Sequence, residues 1–344
     1  MNLRRLSATL ALALALAVTA ALSASPAHAA PAAPAATADP ADPPGCVRYP
    51  LSGGGERIVC AQGIPAGTTL NGTDKADIIE IPLTGAGTGI VRGTVNGLGG
   101  DDIITVHQVL SGSVNGGDGD DEITVTGKGD KYGDENVRGT VDGGAGDDTI
   151  STGGVILGTV SGGDGNDVIE TGSVAVNSTI SGGAGHDTIR VTELDKSGRF
   201  DRSVVKGGDG NDTIVIESAD GTVDGGKGND SITVDRVEGR GYGHQLQIWG
   251  GEGDDTIRTG AFGGTETNAG SIDGGPGADV IEVPEIGQVN PASVVGGDGD
   301  DIIRGPGGTA LVVGPHGTVD GGAGLNTCST DNRFGGAVLN CRAA

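Results

Sequence analysis

Beyond the first thirty residues, the large apolar side chains do not follow the three-to-four spacing of an amphipathic helix. They recur at two fixed points of a repeating unit. The first point is held by Leu70, Val95, Val114, Val141, Val160, Ile180, Val205, Val223, Ile248, Ile272, Val294 and Val319. The second is always isoleucine: Ile79, Ile104, Ile123, Ile150, Ile169, Ile189, Ile214, Ile232, Ile257, Ile281 and Ile303. Both lie in short β-branched stretches, so each unit predicts two short strands. A glycine-rich turn joins them on one side and a loop of variable length on the other, with a period of about 18 to 27 residues. One unit cannot bury its few aliphatic groups. Stacked units can, as two ladders of like side chains on parallel strands about 4.8 Å apart, and eleven to twelve coils give a rod of about 50 Å.

The turn has a fixed grammar. GGDGDDEIT begins at Gly116, GGAGDDTIS at Gly143, GGDGNDVIE at Gly162 and GGAGHDTIR at Gly182. GGDGNDTIV follows from Gly207, GGKGNDSIT from Gly225, GGEGDDTIR from Gly250, GGPGADVIE from Gly274 and GGDGDDIIR from Gly296. Weaker copies begin at Gly72 and Gly97, and a last copy at Gly321 has Asn326 where the others carry Asp.

Composition sharpens the picture. The 344 residues include 70 glycines, one Trp, three Tyr and three Phe, and 46 acidic against 21 basic residues give a net charge of −25. Such a chain buries too little apolar surface to offset its chain entropy without an added interaction, and divalent cations would cancel the charge. The same field disfavours nucleic acid and anionic membranes as partners.

Glycines admit positive φ and let carbonyl oxygens converge, and the Asp at the sixth place adds a carboxylate. Carbonyls and carboxylates are the ligand set of calcium, which takes six to eight oxygens. One turn offers about half a shell, and two stacked turns offer the whole. The candidate carboxylates are Asp77, Asp102, Asp121, Asp148, Asp167, Asp187, Asp212, Asp230, Asp255, Asp279 and Asp301. The surrounding turn positions are Gly116, Asp118, Asp120, Gly143, Gly162, Asp164, Gly207, Asp209, Gly225, Gly250, Asp254, Gly296, Asp298 and Asp300. Eleven turns leave room for up to about ten Ca2+ ions, and folding is expected to depend on them.

The phrase resembles the GGxGxDxUx nonapeptide of the RTX, or haemolysin-type, calcium-binding repeat family, from residue 72 to about 330. The resemblance implies an all-β fold, a right-handed parallel β-roll or β-helix solenoid, with calcium between successive turns held by the sixth-place Asp and loop carbonyls. Three departures stand out. One nonapeptide occurs per period instead of two, so one ion column and one ion-free edge are expected. The export signal is N-terminal, and no catalytic or toxic domain accompanies the repeats.

Residues 1–29 read as a secretory signal peptide: Arg4 and Arg5, an apolar run from Leu10 to Leu22, and Ala27-His28-Ala29 before a cut near Ala29. A Pro/Ala-rich linker over 30–45 follows, then an N-terminal disulfide cap over 46–71, the repeat solenoid over 72–327 and a C-terminal cap over 328–344. The expected location is extracellular, with no membrane-spanning segment in the mature chain. Four cysteines admit three pairings. The rod places Cys46 and Cys328 at opposite ends, so the local pairs Cys46–Cys60 and Cys328–Cys341 are expected.

No HExxH, GxSxG or GxxxxGK[ST] is present, and the histidines, such as His107, His186 and His316, are scattered. His186 fills the variable fifth place of a turn and reads as a surface residue. Acidic pairs such as Asp120-Asp121 and Asp254-Asp255 mimic glycosidase carboxylates, but their recurrence favours metal turns. The reading is a non-enzymatic, calcium-folded structural or adhesive protein that meets surface or matrix glycans or proteins. One competing class is a polysaccharide-acting enzyme of the parallel β-helix lyase type, for which Arg190, Arg199, Asp201, Arg202 and Arg258 are loose material. Another is an ice- or glycan-surface binder built on the outward row Thr94, Ser113, Thr140, Thr159, Thr179, Thr222, Ser271, Ser293 and Thr318. Ser interrupts that row, no second row is expected beside it, and Tyr132, Tyr242 and Trp249 are too dispersed to stack sugars.

Overall fold

In the computed structural model, the described residues are 36–85, 88–127, 135–175, 177–194, 203–237, 245–261 and 269–344. The signal peptide, the first part of the linker, Arg199, Asp201, Arg202, Tyr132 and Tyr242 lie outside them. Two long parallel sheets run the length of a solenoid, and no α-helix occurs among these residues. No described helix is long and apolar enough to cross a membrane.

The first sheet stacks the strands that lead into each turn, such as Ser113–Asp118, Thr140–Ala145 and Thr159–Asp164. They pair in parallel and in register, Val114 on Val141 on Val160 on Ile180. The second sheet stacks the strands that leave each turn, Ile123 on Ile150 on Ile169 on Ile189. All the aliphatic residues at the two recurring points are fully buried. The parallel register follows from side-chain period two, since slipping a strand by one residue would turn its aliphatic outward.

The structure adds a face that the two-strand expectation omits. The leaving strand Thr149–Ile156 bends, with a register shift between Thr152 and Val155, and runs on to Ile156. Val91, Val109, Val137, Ile156, Val174, Leu194 and Ala219 stack there as another buried ladder. Val109, Val174, Leu194 and Ala219 stand 7 residues past their sixth-place aspartates, whereas Val91, Val137 and Ile156 stand 14, 16 and 8 past theirs, so the ladder keeps no single offset along the chain.

Both ends are closed covalently. Cys46 and Cys60 are paired, and so are Cys328 and Cys341. Strand Cys46–Pro50 lies antiparallel on Glu56–Cys60 with Cys46 opposite Cys60, so the first coil does not present a free parallel edge. Glu56–Cys60 and Thr69–Asn71 already stack on the next coil, Ile58 under Ile79 and Leu70 under Val95. At the other end, Ala337–Leu339 and Arg342–Ala343 cover the last turn.

Inward and outward isoleucines give a direct contrast. Ile169→Ala is expected to lower the unfolding free energy by about 2–5 kcal/mol through lost burial and a cavity. Ile103→Ala, at a site 44% exposed, is expected to cost less than about 1 kcal/mol. Equal shifts in denaturant midpoint would contradict the assigned faces.

Candidate metal centre

The chain turns the corner between the two sheets through the glycine phrase. At the second and fourth places φ is positive, 131° at Gly117 and 129° at Gly119, which only glycine adopts without strain. The first glycine is required for a different reason. A Cβ on Gly116 would sit 2.1 Å from Asp121 Oδ2 and 2.4 Å from the carbonyl oxygen of Gly143 in the next coil. On Gly207 it would sit 2.2 Å from Asp212 Oδ2 and 2.4 Å from Gly225 O. Each first glycine thus leaves open a cradle into which its own carboxylate and a neighbouring carbonyl both project.

The sixth-place aspartates form one continuous buried column. The N–H of Asp102 donates to Asp121 Oδ1 at 2.7 Å, that of Asp121 to Asp148 Oδ1 at 2.8 Å, and that of Asp148 to Asp167 Oδ1 at 2.8 Å. The series runs on through Asp187, Asp212, Asp230, Asp255 and Asp279 to Asp301. Their exposures are 0–2%. Oδ1 is therefore satisfied by the preceding coil. Oδ2 of Asp102, Asp121, Asp148, Asp167, Asp187, Asp212, Asp230, Asp255, Asp279 and Asp301 is buried with no hydrogen-bond partner. A buried carboxylate oxygen without a donor is costly, and its recurrence in ten successive turns points to a missing positive partner.

The terminal turns differ. Asp77 Oδ2 accepts from the N–H of Thr73 at 2.5 Å, so the Gly72 turn satisfies its own carboxylate. At the other end Asn326 continues the ladder by accepting from Asp301 N–H at 2.9 Å, without a charge.

Third- and fifth-place side chains do not join the buried column. Asp118, Asp120, Asp164, Asp209, Asp254, Asp298 and Asp300 are exposed, and Asp209 pairs with Lys227 Nζ at 2.7 Å. The fifth place nevertheless has a regular role that the sequence reading missed. Asp120 Oδ1 accepts from Asp147 N–H, Asp147 from Asn166, and Asn166 from His186, at 2.7–2.9 Å. His186 is an acceptor in this row, its Nδ1 taking the N–H of Asn211 at 2.7 Å. The signal was the preference for Asp, Asn or His at a place treated as variable.

The outward face of the first sheet also differs from expectation. Beside the hydroxyl row stands a second polar row, Asn71, Asn96, Asn115, Asp142, Ser161 and Ser181, in register from coil to coil. Asn96 donates to Asn71 Oδ1 at 2.7 Å and Asn115 to Asn96 Oδ1 at 2.8 Å. Strand alternation puts every second residue outward, so a row two residues from the first was implicit in the sequence. Arg190 and Arg258 do not meet: Arg258 and Arg304 both bond Glu282, while Arg190 lies three coils from Arg258, beside Glu170.

Among the described residues no three His, Cys, Asp or Glu side chains converge as a metal cluster. The donor set at each cradle is one carboxylate oxygen with backbone carbonyls. It is a hard, all-oxygen set and fits calcium rather than zinc.

Burial lifts the column's carboxyls out of the usual carboxylate range, against a smaller lowering by the donated N–H. Asp102, Asp148, Asp230 and Asp255 are pushed up to about 7, and Asp121, Asp167, Asp212 and Asp279 to about 6, from 3.8. The metal-free fold thus holds protons that the unfolded chain releases near 3.8. This contribution to stability is fully present below that value and is lost as pH rises through about 6 to 7. In chelator, the thermal midpoint is expected to fall between pH 5 and pH 8. A midpoint that rises over this window would contradict the buried column.

Comparison with known proteins places the repeat. The family model for the RTX calcium-binding nonapeptide repeat matches at 140–154, 159–173, 177–191, 198–215, 216–235, 247–265 and 293–309. No curated protein matches the chain. In fold it is similar to the crystal structure of a hyperactive, Ca2+-dependent, β-helical antifreeze protein from an Antarctic bacterium. The TM-score is 0.53 at 22% identity, over 79% of this chain and 72% of that one. Over residues 140–309 the chain belongs to the family of RTX calcium-binding nonapeptide repeats.

Proposed function

We propose that this is an extracellular structural protein, not an enzyme, whose solenoid is completed by a single column of about ten Ca2+ ions. The observation that carries this reading is the row of ten buried, unpartnered Oδ2 atoms, each beside a carbonyl of the following coil. Asp102, Asp121, Asp148, Asp167, Asp187, Asp212, Asp230, Asp255, Asp279 and Asp301 would hold the ions, with the carbonyl of the next first glycine. The bound ion supplies positive charge where the fold buries negative charge. Asp77 is left out, because Thr73 already fills its second oxygen. Two disulfides and a calcium requirement both suit the outside of a cell, where thiols oxidise and the ion is abundant.

Circular dichroism on titration with calcium, reversed by chelator, tests the coupling of binding to folding. The expected result at pH 7.5 is a large gain of β-signal with calcium. An equally ordered chain in excess chelator would overturn it. By calorimetry, Asp212→Ala is expected to lose about one ion and to weaken its two neighbours, and unchanged stoichiometry would remove that residue from the set.

A second reading has one observation in its favour. The paired rows of hydroxyls and amides on the first sheet, Thr94 with Asn96 and Ser113 with Asn115, repeat in register from coil to coil, a two-dimensional polar array of the kind that meets an ordered surface such as ice. Ice recrystallisation assays with calcium present are expected to show inhibition if this face acts so. Loss of the effect in Thr140→Lys would assign it to this face, whereas no inhibition by the calcium-loaded chain would set the reading aside.

A further inference from the structure

The two ends of the solenoid are finished differently. At the first end an arm folds over the core: Cys46–Pro50 lies antiparallel on Glu56–Cys60, and Thr37 bridges to Arg48. The Arg48 guanidinium, held by Asp42 at 2.7 Å, donates to Asn71 O at 2.7 Å and so covers the end of the outermost strand of the first sheet. Beneath this arm the first rungs of the core, Ile58, Ile64 and Leu70, are fully buried.

The other end has no such arm among the described residues. Ala337–Leu339 and Arg342–Ala343 are the outermost strands of the two long sheets, and each pairs on one side only. Val338, stacked on the fully buried Val319, is half-buried, and Ala343, stacked on Cys328, is exposed. Phe334 and Leu339 of the same half-coil are 52% and 49% exposed. A depression of about 320 Å3 is lined by Val338, Ala343 and the paired Cys328 and Cys341. Along the rest of the solenoid, the next coil buries each rung and pairs each strand edge. Here both are left open, and an open edge invites another strand.

We propose that this end docks on the same end of a second copy, giving a tail-to-tail dimer. Charge favours that partner at that place. The chain carries −25 overall, yet from Cys328 to Ala344 the charged side chains are Asp331, Arg333 and Arg342, and Asp331 is paired with Arg333. Copies meeting side by side would press acidic turns together, whereas copies meeting end to end keep them apart. A two-fold axis perpendicular to the solenoid would lay Ala337–Leu339 antiparallel on its counterpart, and Arg342–Ala343 likewise, so that both sheets run on through the contact. The arm over the first end leaves no open edge there, so assembly stops at two copies. One strand length by two sheets with their side chains is about 20 Å by 20 Å, which covers about 400 Å2 on each copy. That is about half of a standard interface, so the dimer is weak, with a dissociation constant on the order of 100 µM. The contact uses no carboxylate of the aspartate column.

Sedimentation equilibrium of the calcium-loaded protein from about 10 µM to about 1 mM, with small-angle scattering at the upper concentration, tests this. A monomer–dimer equilibrium is expected, with a dimer about twice as long as the monomer. Phe334→Asp combined with Leu339→Asp is expected to weaken association at least about tenfold with the thermal midpoint unchanged. Leu339→Ser, gentler on the half-coil, is expected to weaken it about threefold. Leu83→Asp, at a site 57% exposed away from this end, should leave association as it was. A monomer throughout, a dimer no longer than the monomer, growth beyond two copies, or unchanged association in both end variants would overturn the proposal. So would an equal loss in Leu83→Asp. Calcium-independent folding would sink the ion column and leave this test standing.

Discussion

A column of like charges buried in register is the constraint on which the rest of this fold depends. Each sixth-place aspartate is inside the solenoid, separated from the next by one strand spacing. Ten ionised carboxylates at such separations repel strongly in a medium that screens poorly. The structure compensates half of each group: Oδ1 takes a backbone N–H from the preceding coil. The other oxygen needs a proton or a cation. A proton serves at low pH, when burial keeps the carboxyl neutral, and a divalent ion would serve above the raised carboxyl range of about 6 to 7. Glycine at the first place follows from the same constraint, because a Cβ would occupy the cradle shared by Oδ2 and the neighbouring carbonyl.

The rigidity of that corner explains the freedom elsewhere. Successive aspartates are 18 residues apart between Asp212 and Asp230 and 27 apart between Asp121 and Asp148, yet their ladder bonds are 2.7 and 2.8 Å. In sequence, the extra residues fall after the strand that leaves one turn and before the strand that leads into the next, outside the glycine phrase. Loop insertions there cost little, since closure entropy grows slowly with length. The corner sets the register and the opposite side accommodates variation in length.

The two main ladders, the cysteine pairs and the column of aspartates were legible in the sequence because each recurs at a fixed offset from the glycine phrase. Ile169 and Val160 stand at set distances from Gly162 whatever the coil length. The third ladder was not legible, because Val137, Ile156 and Val174 sit at differing distances from their turns. The fifth place was misread because chemically different residues serve one role there: His186 accepts an N–H through Nδ1 just as Asn166 does through Oδ1. Thr73 was invisible as a ligand to Asp77, since a backbone N–H leaves no mark in a motif.

The central claim is that metal completes the buried carboxylate column. Anomalous diffraction from crystals grown in millimolar calcium addresses it most directly. The account predicts about ten evenly spaced peaks between Asp102 and Asn326, each within bonding distance of one Oδ2 and of the carbonyl of the next coil's first glycine. A well-ordered solenoid in which those cradles hold only water, or in which the ions lie among the exposed third- and fifth-place acids, would contradict it.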